Sequence, residues 1–413
     1  MKKSILEKIL QINNMFKGFR VKRRSILLVL VCPIFLTGCY NSVELQDLAI
    51  VSVIGVDKHP ESDEYEVSLQ IVNPAIVTAS EGVGGGDRLP VTVFTGNGKT
   101  FLDAIQRSIH KIPGQIFLGH VQIFVFSEEL ARQGIEDLLD FIRRDVEMRM
   151  TSRILIAKGH PAKVIVQTIQ AIELLPAKAI GDKLKFSEKL MSTKIMNDAK
   201  NVIKDIKSKG KEAMISGVSV EGDVEKGFGK SNYDKTEMSA TIIIDDLALF
   251  KEDKLQTWVE GDYSRAFLQL INEMQNTIVV LDSNEEKEVL TVEILFSKVT
   301  IKPKVEEENP VFYLEVLQNG LIGDVECSDL DLNKKEDIAK LEKQLSERTK
   351  GEIIKAIDQA QQVRTDVFGF GKAFHLEYPK EWKKFEGNWG DVFKDCKVEV
   401  RVESNIRRTG MIF

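Results

Sequence analysis

The sequence predicts an α+β protein of several domains, with mixed β-sheets, packed helices and one long helix in the C-terminal domain. Apolar or alternating runs suited to strands are interspersed with amphipathic runs suited to helices. A stripe of Ile338, Leu341, Leu345, Ile353, Ile357 and Ala360 marks a helix of roughly 28 residues, about 42 Å at 1.5 Å per residue. Residues 39–413, which follow a leader, suffice for two or three domains.

Residues 1–38 read as a lipoprotein signal peptide. Arg20, Lys22, Arg23 and Arg24 form a basic region, and Ile26 to Phe35 form an apolar region too short to span a bilayer comfortably as a permanent helix. Leu36, Thr37 and Gly38 then bring small residues up to Cys39. A lipoprotein signal peptidase needs that pattern, because the cysteine thiol is first alkylated with diacylglycerol and then becomes the first residue. The competing reading is an uncleaved anchor with an incidental cysteine. Under both, the bulk of the chain lies outside the cytoplasm on a membrane.

The 57 basic and 63 acidic residues give a net charge of −6. The leader holds eight of the basic residues and, of the acids, Glu7 alone, so residues 39–413 carry −13. A chain of that charge is repelled by anionic lipid and by nucleic acid, which argues against surface adsorption and against a nucleic-acid groove. Attachment is therefore assigned to membrane lipid through Cys39. At about 0.8 kcal/mol per buried CH₂, one acyl chain binds marginally and two anchor stably. Cys32 leaves with the leader, and Cys327 and Cys396 remain. A disulfide is conceivable in this compartment, but a chain of this length buries enough core without a staple, so two separate buried thiols are expected.

The N-terminal domain is expected over 39–210. Leu48 to Val56 suits a buried strand, and Tyr65 to Val72 follows with alternation to make a hairpin. Gly82, Gly84, Gly85 and Gly86 mark a surface loop. Next come a strand at Val91 to Thr95, a helix at Lys99 to His110, a strand around His120 to Phe126, helices over Glu128 to Arg144, and a strand at Arg153 to Ala157. Lys183 to Lys211 reads as charged helices leading to a boundary near Gly210. A small middle domain, 211–285, has strands at Ile215 to Val220 and Ile242 to Phe250 and a helix at Ser264 to Asn272. The C-terminal domain, 286–413, has strands at Val292 to Val305 and Val311 to Val325 around the acidic loop Glu306 to Pro310. Its long helix starts at a capping-box-like Asn333 and Glu336, and the stripe is interrupted at Thr349 and Gly351. Packing against its own sheet is expected rather than a coiled coil. In the last strand Val398, Val400 and Val402 alternate with Lys397, Glu399, Arg401 and Glu403.

Residue patterns that carry chemistry are mostly incomplete in this chain. Gly98-Lys99-Thr100 imitates the end of a phosphate-binding loop, but Val93 stands where the first glycine is needed, so a strand–turn–helix junction is expected. His59, His110, His120, His160 and His375 are scattered, with no pair at metal-ligand spacing. No Gly-x-Ser-x-Gly elbow occurs, and Asp245-Asp246 is expected to be solvated like most acid pairs in so acidic a chain. No catalytic residue, metal or cofactor is assigned. Asp366 to Gly371, with Pro379, Trp382, Trp389 and Phe393, is dense in aromatics and glycine. These side chains suit the cap of a core; exposed, they would form a platform for sugar or peptidoglycan.

The residues around Cys39 carry a family resemblance. Tyr40 to Leu45, Leu48 to Val51 and Gly55-Val56-Asp57 resemble the start of the Ger(x)C family. The match continues through Leu118-Gly119-His120, Glu128 to Arg132, Leu139 to Phe141, Arg144-Asp145 and Glu147 to Arg149. It resumes at Ala248 to Lys251 and again at Asp366 to Phe370 with Trp382 and Trp389, covering nearly the whole mature chain in order. Tyr40 stands where the family commonly has tryptophan, and the glycine-rich loop is a local variation. The resemblance implies a non-enzymatic lipoprotein, the C subunit of a spore nutrient germinant receptor. It would be anchored on the outer face of the spore inner membrane beside integral-membrane A and B subunits. The alternative is a stand-alone extracytoplasmic solute- or glycan-binding lipoprotein using the aromatic segment, and a third reading is a cell-envelope hydrolase.

Overall fold

The structure, a computed structural model, describes residues 44, 47–59, 62–74, 76, 89–173, 175–232, 234–259, 263–282, 289–325 and 332–408. The expected cleavage and lipid site (Leu36, Thr37, Gly38 and Cys39), the loop of Gly82 to Gly86 and Cys327 lie outside these residues. The chain divides into two compact units, Met1–Leu48 and Ala49–Phe413, and the elements from Ala49 onward make up the second.

Two mixed sheets organise that unit, as the α+β expectation requires. The first is nine-stranded among the described residues. Its strands β1 (Leu48–Lys58) and β2 (Tyr65–Val72) form the predicted antiparallel pair, and β3 (Val91–Gly98) adds outside β2. On the other side of β1 run β5 (Ile123–Ser127), β6 (Arg153–Ala157) and β7 (Met214–Gly222), all parallel. The short β4 (Gln115–Phe117) pairs with β1. Parallel strands are covered on both faces, and β5 shows why its run is apolar throughout. Phe124 and Phe126 enter the core on one side, and Ile123 and Val125 enter the core on the other. The first face is covered by α1 (Phe101–Ser108), α2 (Glu128–Gln133), α3 (Glu136–Arg144) and, after two more helices, α6 (Ala199–Ile206). The opposite face takes those two, α4 (Ala162–Gln167) and α5 (Pro176–Phe186).

Gly98-Lys99-Thr100 is a strand–turn–helix junction. The Thr100 hydroxyl accepts the Asp103 amide at 3.1 Å to cap α1, and a Cβ on Gly98 would stand 2.4 Å from the Ala104 nitrogen.

The segment expected as a separate middle domain, 211–285, is divided between the two sheets. Gly217 and Val218 of β7 pair with Ile156 and Ala157 of β6, and β8 (Ala240–Lys251) and β9 (Lys254–Val259) continue the first sheet antiparallel. The helix α7 (Ser264–Leu270) packs in the core of the second sheet, and β10 (Thr277–Asp282) is its first strand.

In the second sheet, β10, β11 (Val289–Glu306), β12 (Asn309–Val325) and β13 (Lys397–Arg408) lie in sequence order, with β12 and β13 parallel. The supposed acidic loop is a two-residue turn. Glu306 pairs with Asn309, and Glu307 and Glu308 both take positive φ, 48° and 65°, the geometry that matches strand twist. Strand β13 alternates as predicted, with Val400 buried between exposed Glu399 and Arg401.

The long helix α8 (Lys335–Gln362) has the expected 28 residues and lies along this sheet. Leu341 and Leu345 join the core with Val292 and Ile294, and Ile353 and Ile357 join that of Phe312 and Leu314. Truncating Leu345 to alanine would cost about 2–5 kcal/mol. Its cap differs from expectation: the N-cap is Lys334, without a capping side-chain bond, so the Asn333–Glu336 box is not what starts the helix.

The stripe also runs unbroken through Thr349. That side chain is 4% exposed and accepts the Gln318 amide at 2.9 Å, while Gln318 also donates to Ser404 at 2.8 Å. One turn on, buried Glu352 takes both Arg265 (2.5 and 2.8 Å) and Arg348 (2.8 Å). Three short helices, α9 (Phe370–Glu377), α10 (Pro379–Phe385) and α11 (Trp389–Asp395), complete the domain.

Candidate functional site

The motif Gly55-Val56-Asp57 ends β1 beneath the start of α4. This helix has Pro161 at its N-cap and no capping side chain of its own, so its first amides need an acceptor from elsewhere. Asp57 supplies it, accepting the Ala162 amide at 2.7 Å and the Lys163 amide at 2.9 Å. Gly55 permits the approach, since a Cβ there would meet the Val166 methyl at 2.7 Å. Near the far end of α4, the Val166 carbonyl accepts the Gln70 side-chain amide at 2.7 Å. Burial pushes the Asp57 pKa up to about 6 against the pull of its two amide donors, and the Glu66 carboxylate adds to the rise.

The segment Asp366 to Gly371 is a second such device. Asp366 is buried, and its carboxylate accepts the amides of Gly369 (2.8 Å), Phe370 (3.1 Å) and Gly371 (2.7 Å) and the Trp389 indole N–H (2.9 Å). It thus caps α9 from outside the helix, after Gly369 turns the chain at φ 80°. Burial pushes its pKa up while those four donors favour the charged form. Gly371 lies under the Trp389 ring, where a Cβ would come within 2.6 Å, and Lys372 donates its amide to the Gly210 carbonyl at 2.8 Å. The position predicted as a domain boundary is therefore a packed contact. Beside it, burial with Asp366 and Glu252 nearby raises Glu212 to about 7, although its carboxylate accepts the Glu252 amide at 2.8 Å.

The aromatics of this region form a core, not a platform. Phe370, Phe374 and Phe393 are fully buried, Trp382 is 1% exposed, and Phe312 stacks on Phe370 at 4.8 Å between centroids. Asp245 and Asp246 are partly buried and paired rather than freely solvated. Lys158 Nζ lies 2.5 Å from Asp246 and 3.7 Å from Asp245, and Ser219 donates to Asp245 at 2.5 Å. Burial works against the Asp245 charge, but Ser219, the Asp246 amide, Lys158 and Lys194 together hold its pKa below the usual carboxylate range. Such an acid pair is neutralised by lysines rather than poised for proton transfer.

Other residues of the resemblance are also structural. Ser127 caps α2, Glu128 pairs with Arg132 at 2.6 Å, and Arg132 reaches the Gln256 carbonyl of β9 at 3.2 Å. Asp145 accepts the Glu147 and Met148 amides at 2.9 and 3.2 Å, making the turn before Arg149. Among the described residues no three His, Cys, Asp or Glu side chains gather to hold a metal.

Two family models match the stretches that hold these motif residues. A model described as "Spore germination protein N-terminal domain" matches residues 41–220, and one described as "Spore germination B3/ GerAC like, C-terminal" matches residues 245–410. The chain belongs to the Ger(x)C family. Spore germination protein KC of Bacillus subtilis (strain 168) is 29% identical over 389 residues, covering 93% of this chain and 95% of that protein. Spore germination protein B3 of the same organism is 22% identical, covering 91% and 95%. The crystal structure of the GerBC protein superposes with a TM-score of 0.54 at 18% identity, covering 86% of this chain and 96% of that one, and so shares the fold. As a Ger(x)C protein, the chain has a role in spore germination and a spore-associated location. No helix among the described residues is long and apolar enough to cross a membrane.

One surface feature escaped the sequence reading. Within the stretch read as charged helices, Phe186, Leu190 and Met191 stand exposed beside Ile172. Their spacing, with lysines between, was the available signal.

Proposed function

We propose that this Ger(x)C protein is a non-enzymatic lipoprotein subunit of a spore nutrient germinant receptor. Signal cleavage after Leu36-Thr37-Gly38 leaves Cys39 to carry a diacylglyceryl group, which holds the protein on the outer face of the spore inner membrane. Integral-membrane A and B subunits are its partners, and it is required for nutrient-triggered germination. The observation that carries this reading is the pair of family models, which together span the mature chain in order. The motif residues support it: Asp57, Asp366, Trp382 and Trp389 are all committed to internal bonding or packing, as suits a scaffold. The stand-alone glycan binder loses the open aromatic platform on which it rested.

The test is a Cys39→Ala strain. Dormant spores should lose the protein from the inner-membrane fraction and fail to germinate in the nutrient that triggers the parent, while germinating normally with a non-nutrient stimulus. Full inner-membrane retention and normal nutrient germination would refute the reading.

A further inference from the structure

The segment Pro176–Met191 carries α5 and then a π-helical turn, Ser187–Met191, that ends on Ser192 at φ 49°. Inwardly, Ala177, Ile180 and Leu184 pack into the core on one face of the first sheet. Outwardly, the exposed positions are Lys178, Lys185, Phe186, Lys189, Leu190 and Met191, that is, lysines and large apolar side chains only. The acids of the segment, Asp182 and Glu188, are partly covered, and Glu188 accepts the Met196 amide at 3.0 Å. Phe186, Leu190 and Met191 are 53%, 55% and 58% exposed, and neighbouring Ile172 is fully exposed. All four line an apolar groove of about 800 Å³.

We propose that this segment is a second contact with the membrane, seated on an anionic lipid surface. Phe186, Leu190 and Met191 would enter the boundary between headgroups and acyl chains, with Lys185 and Lys189 at the level of the phosphates. Apolar side chains flanked by lysines, whose stems extend along the apolar layer while the ammonium stays wet, are the signature of an interfacial segment. The net charge of −13 argues against free adsorption of the whole chain, but it does not decide a local contact that an anchor already holds at the surface. At physiological salt, charges beyond about 8 Å are largely screened, so the local balance decides: Glu173 pairs with Lys178, Asp182 and Glu188 are partly covered, and Lys185 and Lys189 stand exposed toward the surface. The inference rests on the lipid-anchored reading above, because the anchor keeps the segment next to the bilayer at high effective concentration.

The experiment uses the full-chain lipoprotein, isolated from membranes and reconstituted in vesicles of phosphatidylcholine and phosphatidylglycerol, with Phe186→Trp as reporter and Leu190→Trp as a second. Bromine on the phosphatidylcholine acyl chains should remove roughly half of the added tryptophan emission, as expected for a side chain in the acyl boundary. Lys185→Glu with Lys189→Glu should abolish that quenching while the protein still floats with the vesicles. Flotation with reporters untouched by bromine and open to aqueous iodide would overturn the proposal and leave the anchor standing. Reporters shielded from iodide only when receptor subunits are present, again without bromine quenching, would overturn it in favour of a protein partner in the groove. Failure to float would overturn both the contact and the anchor.

Discussion

Replacing Asp366 by asparagine keeps its size and removes one acceptor oxygen. In the native site Oδ1 takes the Gly369 and Phe370 amides, and Oδ2 takes the Gly371 amide and the Trp389 indole. Whichever way the new amide turns, one of these pairs faces an NH₂ group and loses its acceptor. A buried donor left unpaired costs about 1–3 kcal/mol, so two cost about 2–6 kcal/mol, offset in part by relief of a buried charge. The assay is urea unfolding followed by both circular dichroism and tryptophan emission, the latter reporting on the buried Trp382 and Trp389. Asp391→Asn is the control. It breaks the exposed Arg364 pair at 2.7 Å, for which about 0–1 kcal/mol is expected. A loss under about 1 kcal/mol for Asp366→Asn, or no larger than that of the control, would refute the assignment of Asp366 as the cap of α9.

Glu212 sets a pH dependence. Its folded pKa of about 7 exceeds the ordinary 4.5, so the folded state holds the proton through that window and stability falls as pH rises across it. Glu212→Gln should therefore stabilise by up to about 3 kcal/mol near pH 8 and by little near pH 4.5, measured as urea midpoints across pH. Asp57, raised to about 6, contributes with the same sign. Gly371→Ala should cost about 1–3 kcal/mol through the clash with Trp389, whereas Gly351→Ala, with nothing near its new Cβ in the exposed middle of α8, should gain about 0.5–1 kcal/mol; thermal unfolding of the two variants checks the contrast. The Cys396 thiol, pushed up to about 12 chiefly by burial, should resist a thiol-disulfide reagent at pH 8 in a Cys327→Ser background and react once urea unfolds the protein.

Local periodicity made some elements legible. Strand β13 declares itself because its alternation maps directly onto a half-covered sheet, and α8 because its apolar stripe is long. What periodicity could not show was polar groups satisfied at a distance. Thr349 looks like a break until Gln318, on a strand, meets it, and Glu352 looks solvated until Arg265 closes on it. Helix α4 carries no local signal, because its six residues lack a cap of their own and borrow Asp57 from far back in the chain. The division of 211–285 was hidden for the same reason, since β7 joins β6 by parallel pairing across three intervening helices. The expectation at Cys39 rests on its leader alone and lies outside the described residues, and the exposed Phe186, Leu190 and Met191 were obscured by the lysines around them.

The central claim is membership of a receptor complex at the spore inner membrane. The direct test is affinity purification of a C-terminally tagged copy from detergent-solubilised dormant-spore membranes, with mass spectrometry of what accompanies it. Recovery of two polytopic receptor subunits with the protein is the predicted result. Recovery of the protein alone, in a detergent that keeps a control receptor intact, would contradict it.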